Sequence, residues 1–382
     1  MTPAQAARGL ITIQLYGFGG GQGATSNLFT KPHPYLANSP LIGSALVFLR
    51  GDNLFQTLLL NLLLYDADRV PIACIGEDRP IWERDDLPTP GIKPVTGYLE
   101  YLTWRSRHIR LLPEQNGDQT VVRHLYIAQA EIFPTDFRSR EQDPMFAYQE
   151  ARDGSLKPLR FQKDRAFWRD SASLFEYGSD EKQGGRHRPR AFFQLAELMR
   201  QNKIREQRFF RCFIIGLVND KANPLLWRME EMNVPTSLLE DRHQVRILKE
   251  ALHQAESVGE CLQHCTRVLA EALLTVNKRS PDQKDVAGVE QTLQVLIDYW
   301  AALEAPFFTL LQEPSEERQR QWSEILFSTA YEVLERNATQ YVATSARDLQ
   351  AQVKGLGCLR NRLKKLHDEY FPEAEKEKEI VP

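Results

Sequence analysis

The second half of the chain repeats apolar residues with the period of an amphipathic α-helix. Leu248 and Leu252, for example, are spaced to fall on one helical face. The pattern runs through four long segments: residues 237–276, 283–304, 316–337 and 339–370. Breakers in or between these segments are Pro281, Pro306 and Pro314. Four helices with short connections predict an antiparallel four-helix bundle over residues 235–382.

Residues 1–234 have a mixed pattern, in which short apolar runs are separated by most of the prolines. Strands are predicted where such runs are β-branched or aromatic, at residues 46–50, 105–112, 124–132, 145–152 and 209–218. Helices are predicted at residues 53–64, 96–104, 170–175 and 191–204. Residues 4–14 fit a helix or, over residues 11–13, a strand. The fold class is therefore α+β, with a mixed α/β domain over residues 1–234 followed by the bundle.

Length and composition describe a globular protein of ordinary type. A chain of 382 residues can form two domains with separate cores, and 42% hydrophobic and 26% charged residues are typical values. The net charge of -3 gives no general affinity for nucleic acid, so any such affinity must come from local clusters. An odd number of scattered cysteines, five, indicates reduced thiols. With no apolar run of membrane-spanning length and no secretory signal, the sequence predicts a cytoplasmic protein with no membrane partner.

A run of glycines near the start is the most unusual feature of the sequence. Five glycines lie between Gly17 and Gly23, between apolar runs on both sides. A P-loop would require a Gly-Lys-Ser/Thr ending, which is absent, and a dinucleotide site would require a following helix, which Pro32 and Pro34 oppose. Two interpretations stay open from local sequence: an irregular surface loop, or a backbone surface that contacts a polymer such as a nucleic-acid groove.

A basic segment in the middle of the chain is the second candidate for binding. Its members are Lys182, Arg186, Arg188 and Arg190. Charge runs are usually solvated surface loops. Lysine and arginine clusters also bind phosphates, with release of counterions. The sequence supports both interpretations equally.

The sequence contains none of the common arrangements of catalytic or metal-binding residues. A Gly-x-Ser-x-Gly motif, two histidines at helical spacing and a Cys-x-x-Cys pair are all absent, and the eight histidines form no array of ligands. Cys261 and Cys265 share a helix face with His264 between them, but no second ligand pair follows at zinc-finger spacing, so an amphipathic helix is the favoured interpretation. We therefore predict a protein that is not an enzyme and that needs no cofactor or metal ion.

Several stretches, in their order along the chain, resemble the large subunit of the type I-E CRISPR Cascade surveillance complex, the CasA family. The stretches are residues 17–21, 46–51, 58–62, 80–82, 97–104, 107–111, 143–144, 166–170 and 216–223. The resemblance extends over nearly the whole chain but only the later part of the family's length. It implies that the family's N-terminal region, with a loop that contacts the guide-bearing backbone, is missing here, either because the chain is a shortened variant or because another chain supplies the region.

The resemblance implies a non-catalytic reader of DNA within a guide-RNA complex. Such a subunit recognises the protospacer-adjacent motif (PAM) in double-stranded DNA, helps to start strand separation and recruits the Cas helicase-nuclease. Its other partners would be the CRISPR RNA-bearing backbone and small subunits of Cascade. The alternative function, from another class, is a structural scaffold without direct contact to DNA.

The resemblance also implies which residues contact DNA. Family members use a glycine loop, a hairpin lysine and a short wedge in the minor groove. The glycine loop corresponds to Gly17, Gly19, Gly20 and Gly21, with Gly20 as the expected groove contact. Gln129 is the candidate at the position of the lysine. The wedge corresponds to Asn219, Asp220, Lys221 and Ala222, where Lys221 replaces a typical glutamine.

Overall fold

The structure is a computed structural model that describes residues 1–20, 36–64, 72, 74–86, 90–134, 143–150, 155–176, 188–204, 207–220, 223–275, 280–341 and 345–371. The chain divides into two compact units, Met1–Glu240 and Asp241–Pro382. The first mixes helices with strands, and the described part of the second is helical. The predicted α+β fold class is therefore confirmed.

The first unit alternates short helices and strands along its described residues. In chain order they are α1 (Pro3–Tyr16), β1 (Ala45–Arg50), α2 (Leu54–Asn61), β2 (Gly91–Ile92), α3 (Tyr98–Leu102), β3 (Arg107–Asn116), β4 (Gln119–Gln129), β5 (Glu131–Ile132), β6 (Tyr148–Glu150), β7 (Leu156–Pro158), α4 (Ala172–Phe175), α5 (Arg190–Arg200), β8 (Phe209–Asp220), β9 (Asn223–Pro235) and α6 (Thr236–Glu240). Short 3-10 turns occupy Ile81–Glu83 and Phe167–Asp170.

Helix α1 resolves the choice that the sequence left open at residues 4–14. The Thr2 hydroxyl accepts a hydrogen bond from the Gln5 backbone N–H, and the Gln5 side chain accepts one from the Thr2 backbone N–H. This capping box, followed by Pro3 at the first helical position, favours a helix start. The helix continues through the β-branched residues and ends at Tyr16, directly before the glycines.

A three-stranded antiparallel sheet in the order β1-β8-β9 is the main sheet of the first unit. The residues of β1 alternate between buried and half-buried, as expected for a strand with one face on a core. Strands β3 and β4 form a long separate hairpin, β2 pairs with β5 in parallel, and β6 pairs with β7. The predicted strands at 46–50 and 209–218 are thus confirmed, and they are neighbours.

Strand β9 is absent from the sequence prediction. It pairs with β8 along its whole length, from Phe209 opposite Pro235 to Asp220 opposite Asn223. Its first half carries Leu225, Leu226 and Trp227 in succession, and all three are exposed. Apolar and polar residues alternate over 227–230 and again over 231–234, but the phase changes between Glu230 and Glu231, so no single period-2 pattern runs through the strand.

The second unit contains α7 (Arg242–Leu274), α8 (Gln283–Leu293), α9 (Val295–Gln312), α10 (Glu316–Tyr341) and α11 (Ala346–Tyr370). Helix α7 packs against each of these other helices. The segment predicted over residues 283–304 is divided at Gln294, which has a left-handed backbone with φ 53°. None of the described helices combines the length and the apolar character that a membrane crossing requires.

The prediction that Pro306 is a breaker is wrong, because this proline lies inside α9. Proline in a helix interior costs about 3 kcal/mol, through the missing N–H and a clash with the preceding turn. Leu303, Phe307 and Leu310 on the same helix are buried. Burial of these large side chains around the proline offsets its cost, and the helix continues.

Two buried carboxylates, Glu100 on α3 and Glu131 on β5, share the ammonium group of Lys93. The Glu100 carboxylate accepts hydrogen bonds from Arg84, from Lys93 at 3.0 Å and from the Thr96 backbone at 2.6 Å. The Lys93 ammonium also donates to Glu131 at 3.0 Å. Burial alone would raise the pKa of Glu100, but the hydrogen bonds from Thr96, Lys93 and Arg84 lower it to about 2.

Glu100→Gln is expected to lower the free energy of unfolding by about 3 kcal/mol at neutral pH, because it breaks a buried ion pair. The Glu100 carboxylate has a lower pKa in the folded chain than its ordinary value of 4.5, so its stabilisation is present above pH 4.5 and is lost as the pH falls toward 2. Urea unfolding of wild type and variant should therefore differ at neutral pH and converge in acid. Glu77→Gln, at an exposed ion pair with Arg79, is the control and should leave stability nearly unchanged.

Candidate nucleic-acid interface

The glycine loop, residues 17–21, begins at the last turn of α1. The Gly17 N–H donates to the Ile13 carbonyl at 2.9 Å and so ends the helix. A Cβ atom at Gly17 would lie 2.7 Å from the Ile13 oxygen and 2.9 Å from Ser39 Oγ. Only glycine fits this position without a shift of the backbone. Gly17 is half-buried, so it supports the loop and contributes little to the exposed surface of the loop.

The next described glycines of the loop are paired with an opposing segment, residues 36–39. The Gly19 N–H donates to Asn38 Oδ1 at 2.7 Å, and the Gly20 N–H donates to the Leu36 carbonyl at 2.8 Å. Gly20 is exposed and has φ 102°, a conformation that side chains with a Cβ rarely adopt. Gly20 therefore presents bare backbone at the surface. Gly21 lies outside the described residues.

Arg107, at the start of β3, joins the two sides of this arrangement. Its Nη2 donates to the Phe18 carbonyl at 2.9 Å and to the Ala37 carbonyl at 2.6 Å, and its Nη1 donates to the Ser106 carbonyl. The residue is 2% exposed, and no carboxylate among the described residues pairs with it. Burial lowers the pKa of Arg107 to about 10, so the guanidinium remains charged at neutral pH. It acts as a cross-link between the glycine loop and the opposing segment.

Neutral hydrogen bonds reinforce this cross-link. Ser39 Oγ and Ser106 Oγ are 2.8 Å apart, and Ser106 Oγ donates to the Gln14 carbonyl at 2.7 Å. The Gln14 side chain exchanges two hydrogen bonds of 2.8 Å with the Arg107 backbone. The last turn of α1, the opposing segment and β3 are thereby held as one structure. Sequence reasoning did not identify these polar residues, since single serines and arginines carry no pattern that marks them.

Gln129, the candidate for a groove contact, is 2% exposed. Its Oε1 accepts a hydrogen bond from the Ala37 N–H at 2.6 Å, and its Nε2 donates to the Ser106 carbonyl at 3.1 Å. In this arrangement the buried Gln129 side chain supports the opposing segment through its hydrogen bond with Ala37. A direct contact between Gln129 and DNA stays a prediction, and it would require these bonds to break.

The candidate wedge lies at the tip of the β8–β9 hairpin. Asn219 and Asp220 end β8, with a register shift between Val218 and Asn219. Lys221 and Ala222 connect the two strands and lie outside the described residues. Asp220 is exposed and Asn219 is half-buried. The exposure of Asp220, the last described residue before the connection, is what a wedge at this place requires, and insertion into DNA stays a prediction.

The hairpin contacts the end of α1, directly before the glycine loop, through two aromatic rings. Tyr16, the last residue of α1, packs edge-on against Trp227 of β9 with ring centroids 4.6 Å apart. Trp227 is four residues from Asn223, which corresponds to ~13 Å along an extended strand. The described end of the hairpin therefore lies close to the start of the glycine loop.

The basic segment is described only in part. Lys182 and Arg186 lie outside the described residues. Arg188 is buried, donates to the Leu239 carbonyl at 3.1 Å and lies 5.2 Å from the centre of the Phe193 ring. Arg190 begins α5 and is half-buried. Phosphate contacts at these four positions stay predictions, and Arg188 as placed anchors the start of α5 to α6.

Comparisons with known proteins agree on one family. Residues 1–341 match the family model described as CRISPR-associated protein Cse1. A CRISPR-associated protein CasA/Cse1 from Thermus thermophilus is 29% identical over 373 residues, which cover 93% of this chain and 67% of the relative.

Solved structures have the same fold. The crystal structure of Thermus thermophilus CasA has a TM-score of 0.74 and 27% identity, and the match covers 95% of this chain and 72% of that one. Cse1 from Acidimicrobium ferrooxidans has a TM-score of 0.72 at 22% identity, with coverage of 97% and 73%. A chain of a CRISPR RNA-guided surveillance complex has a TM-score of 0.67 at 19% identity, with coverage of 94% and 68%.

Proposed function

The chain belongs to the CRISPR-associated Cse1 (CasA) family, and from that premise we propose that it is the PAM-reading large subunit of an RNA-guided surveillance complex. In this role the guide RNA reads most of the target by base pairing, and the protein reads the short adjacent motif in the duplex. The subunit itself is non-catalytic. It helps to start strand separation and recruits the Cas helicase-nuclease to the opened DNA.

The observation that carries the proposal is the exposed backbone of Gly20 on a rigid support. The minor groove is about 6 Å wide, so a surface without side chains can enter it where a bulkier residue would clash. Arg107, Ser39 and Ser106 hold that surface in place before DNA arrives. Pre-organisation of this kind lowers the entropy cost of binding.

The hairpin tip supplies the second part of the proposed mechanism. A wedge parts base steps by shape and rigid support, and the energy of the other contacts repays the unstacking. The paired strands β8 and β9 provide such support for the residues at 219–222. The partners of this chain would be double-stranded DNA and the CRISPR RNA-bearing subunits of the complex.

The test is DNA binding by the guide-RNA complex assembled with and without this chain. Duplexes should carry one target sequence next to a randomised motif, and bound molecules should be sequenced. We expect enrichment of particular motifs only when the chain is present. Equal enrichment without the chain would contradict the proposal and would favour a scaffold without DNA contact.

Trp227→Ala is expected to weaken DNA binding by up to about tenfold, because an aromatic pair contributes about 0.5–1.5 kcal/mol and here orients the hairpin toward the loop. The measurement is titration of the assembled complex with a duplex that carries the selected motif. Met229→Ala is the matched control, since it removes an exposed apolar side chain from the same strand and leaves the Tyr16–Trp227 pair intact. If the two variants bind equally well, the aromatic pair has no role in orientation.

A further inference from the structure

Two cysteines of the second unit meet in the structure, although 93 residues separate them in sequence. Cys265 lies on α7 and Cys358 lies on α11. The Cys265 thiol donates a hydrogen bond to Cys358 Sγ, and the two sulfur atoms are 3.1 Å apart. Both residues are free thiols. The fold therefore brings together two nucleophilic groups whose spacing in the sequence does not mark them as a pair.

The backbones of α7 and α11 approach each other closely beside this pair. Gly355 precedes Cys358 by one turn of α11. A Cβ atom at Gly355 would lie 2.9 Å from the Leu269 Cβ atom and 3.7 Å from the Cys265 carbonyl oxygen. Glycine thus permits a contact that a larger residue would widen. A disulfide bond requires Cα atoms within about 7 Å of each other, and close packing of the two backbones favours that geometry.

The two thiols differ in their access to solvent. Cys265 is buried, whereas Cys358 is half-buried and can be reached by a small oxidant. Burial raises the pKa of Cys265, and its hydrogen bond to Cys358 raises this pKa further. Because the thiolate is the reactive form, Cys265 is a poor nucleophile toward an oxidant in solution. Oxidation is therefore expected to begin at Cys358.

We propose that Cys265 and Cys358 form a reversible oxidation site, at which hydrogen peroxide converts the two thiols into a disulfide bond between α7 and α11. In the first step the Cys358 sulfur attacks a peroxide oxygen, the O–O bond breaks, and a sulfenic acid and water form. In the second step the Cys265 sulfur attacks the sulfenic sulfur, the S–O bond breaks, and the hydroxide leaves as water with the Cys265 proton. The two sulfur atoms together lose the two electrons that reduce the peroxide.

A disulfide bond at this position would join two helices of the second unit covalently and oppose their separation. Disulfides that form in a reducing compartment are usually transient and respond to oxidants. The inference concerns the second unit alone and does not depend on PAM reading.

The test is peptide mapping of the purified full chain after treatment with hydrogen peroxide, with free thiols blocked before digestion. Trypsin releases residues 250–267, which include Cys265, and residues 355–360, which include Cys358. We expect these two peptides to be joined by a disulfide bond that dithiothreitol breaks. Residues 250–267 also include Cys261, so the Cys261→Ser variant assigns the bond. The joined peptides should persist in that variant.

Two further variants separate the steps. Cys358→Ala should stay folded, because Cys358 is half-buried, and should lose at least about tenfold of the joined peptides. In Cys265→Ala the sulfenic acid of Cys358 should accumulate to at least about tenfold its wild-type level, because the thiol that would consume it is absent. Dimedone labelling of the Cys358 peptide measures this accumulation.

Cys74, an exposed thiol, is the internal control for the treatment. Peroxide that oxidises Cys74 and leaves Cys265 and Cys358 as free thiols would overturn the proposal. So would a bond from Cys358 to Cys261, or oxidation of Cys358 to a sulfinic acid without any joined peptide.

Discussion

Gly20→Asp is expected to abolish motif-dependent DNA binding by the assembled complex while the chain stays folded. The aspartate must adopt φ 102°, which costs of order 1–3 kcal/mol of local strain. It also directs a negative charge toward the phosphates on both sides of the groove, and such a like-charge contact costs several kcal/mol. Together these effects should reduce affinity by about three orders of magnitude, measured by titration with the selected duplex.

Gly117→Asp is the matched control for this experiment. Gly117 follows β3, has φ 64° and has open space around it, so the substitution adds the same charge with less strain, because aspartate tolerates this left-handed φ better than 102°. It is ten residues from Arg107 along β3, which corresponds to ~33 Å in an extended strand. We expect near-normal DNA binding by this variant. A folded Gly20→Asp variant that binds as well as Gly117→Asp would contradict the assignment of the loop.

Arg107→Leu is expected to release the glycine loop and to lower the free energy of unfolding by about 3 kcal/mol. The Phe18 and Ala37 carbonyls would lose a charged donor, and each unsatisfied buried acceptor costs about 1–3 kcal/mol. Arg107→Lys should recover only part of the loss, since one ammonium does not reproduce the planar fork of a guanidinium.

The measurement for Arg107 is hydrogen exchange together with urea unfolding. Faster exchange is expected at the Gly20 and Ser39 amides, which donate to Leu36 and Gly17 in the wild type. Arg123→Leu, an exposed arginine on β4, should leave both readings unchanged. Unaltered exchange at Gly20 in Arg107→Leu would mean that other contacts suffice to hold the loop.

The sequence predicted elements well where one local signal dominated. Helix α2 begins after Asn53, whose side chain accepts from the Gln56 N–H, as a capping residue should. Strand β8 has the apolar, β-branched profile of a buried strand. Prediction failed where long-range packing decides the outcome, as in β9, which owes its extension to β8, and at Pro306, which is held inside α9 by buried neighbours.

Only part of the candidate site could be predicted from the sequence, for the same reason. Glycines are conspicuous in a sequence, so the loop could be located, and the family resemblance then singled out Gly20 within it. Arg107 is distant from the loop in sequence, and only the fold brings its guanidinium to the Phe18 carbonyl. Gln129 was predicted to contact DNA, but in the structure its amide is hydrogen-bonded to the backbone of Ala37 and Ser106. The sequence alone does not reveal these bonds, because the fold brings the partners together.

The contact between Tyr16 and Trp227 also has a kinetic consequence. If the two DNA-contacting surfaces were on separate molecules, each would have to bind the duplex from solution on its own. When they are held on one framework, formation of the first places the second at a high effective concentration, so the two act as a bivalent ligand. In the proposed complex a duplex without the right motif would lose both contacts together and depart quickly. The packing of Tyr16 against Trp227 would then help the complex to leave incorrect DNA sites rapidly while it searches for a target.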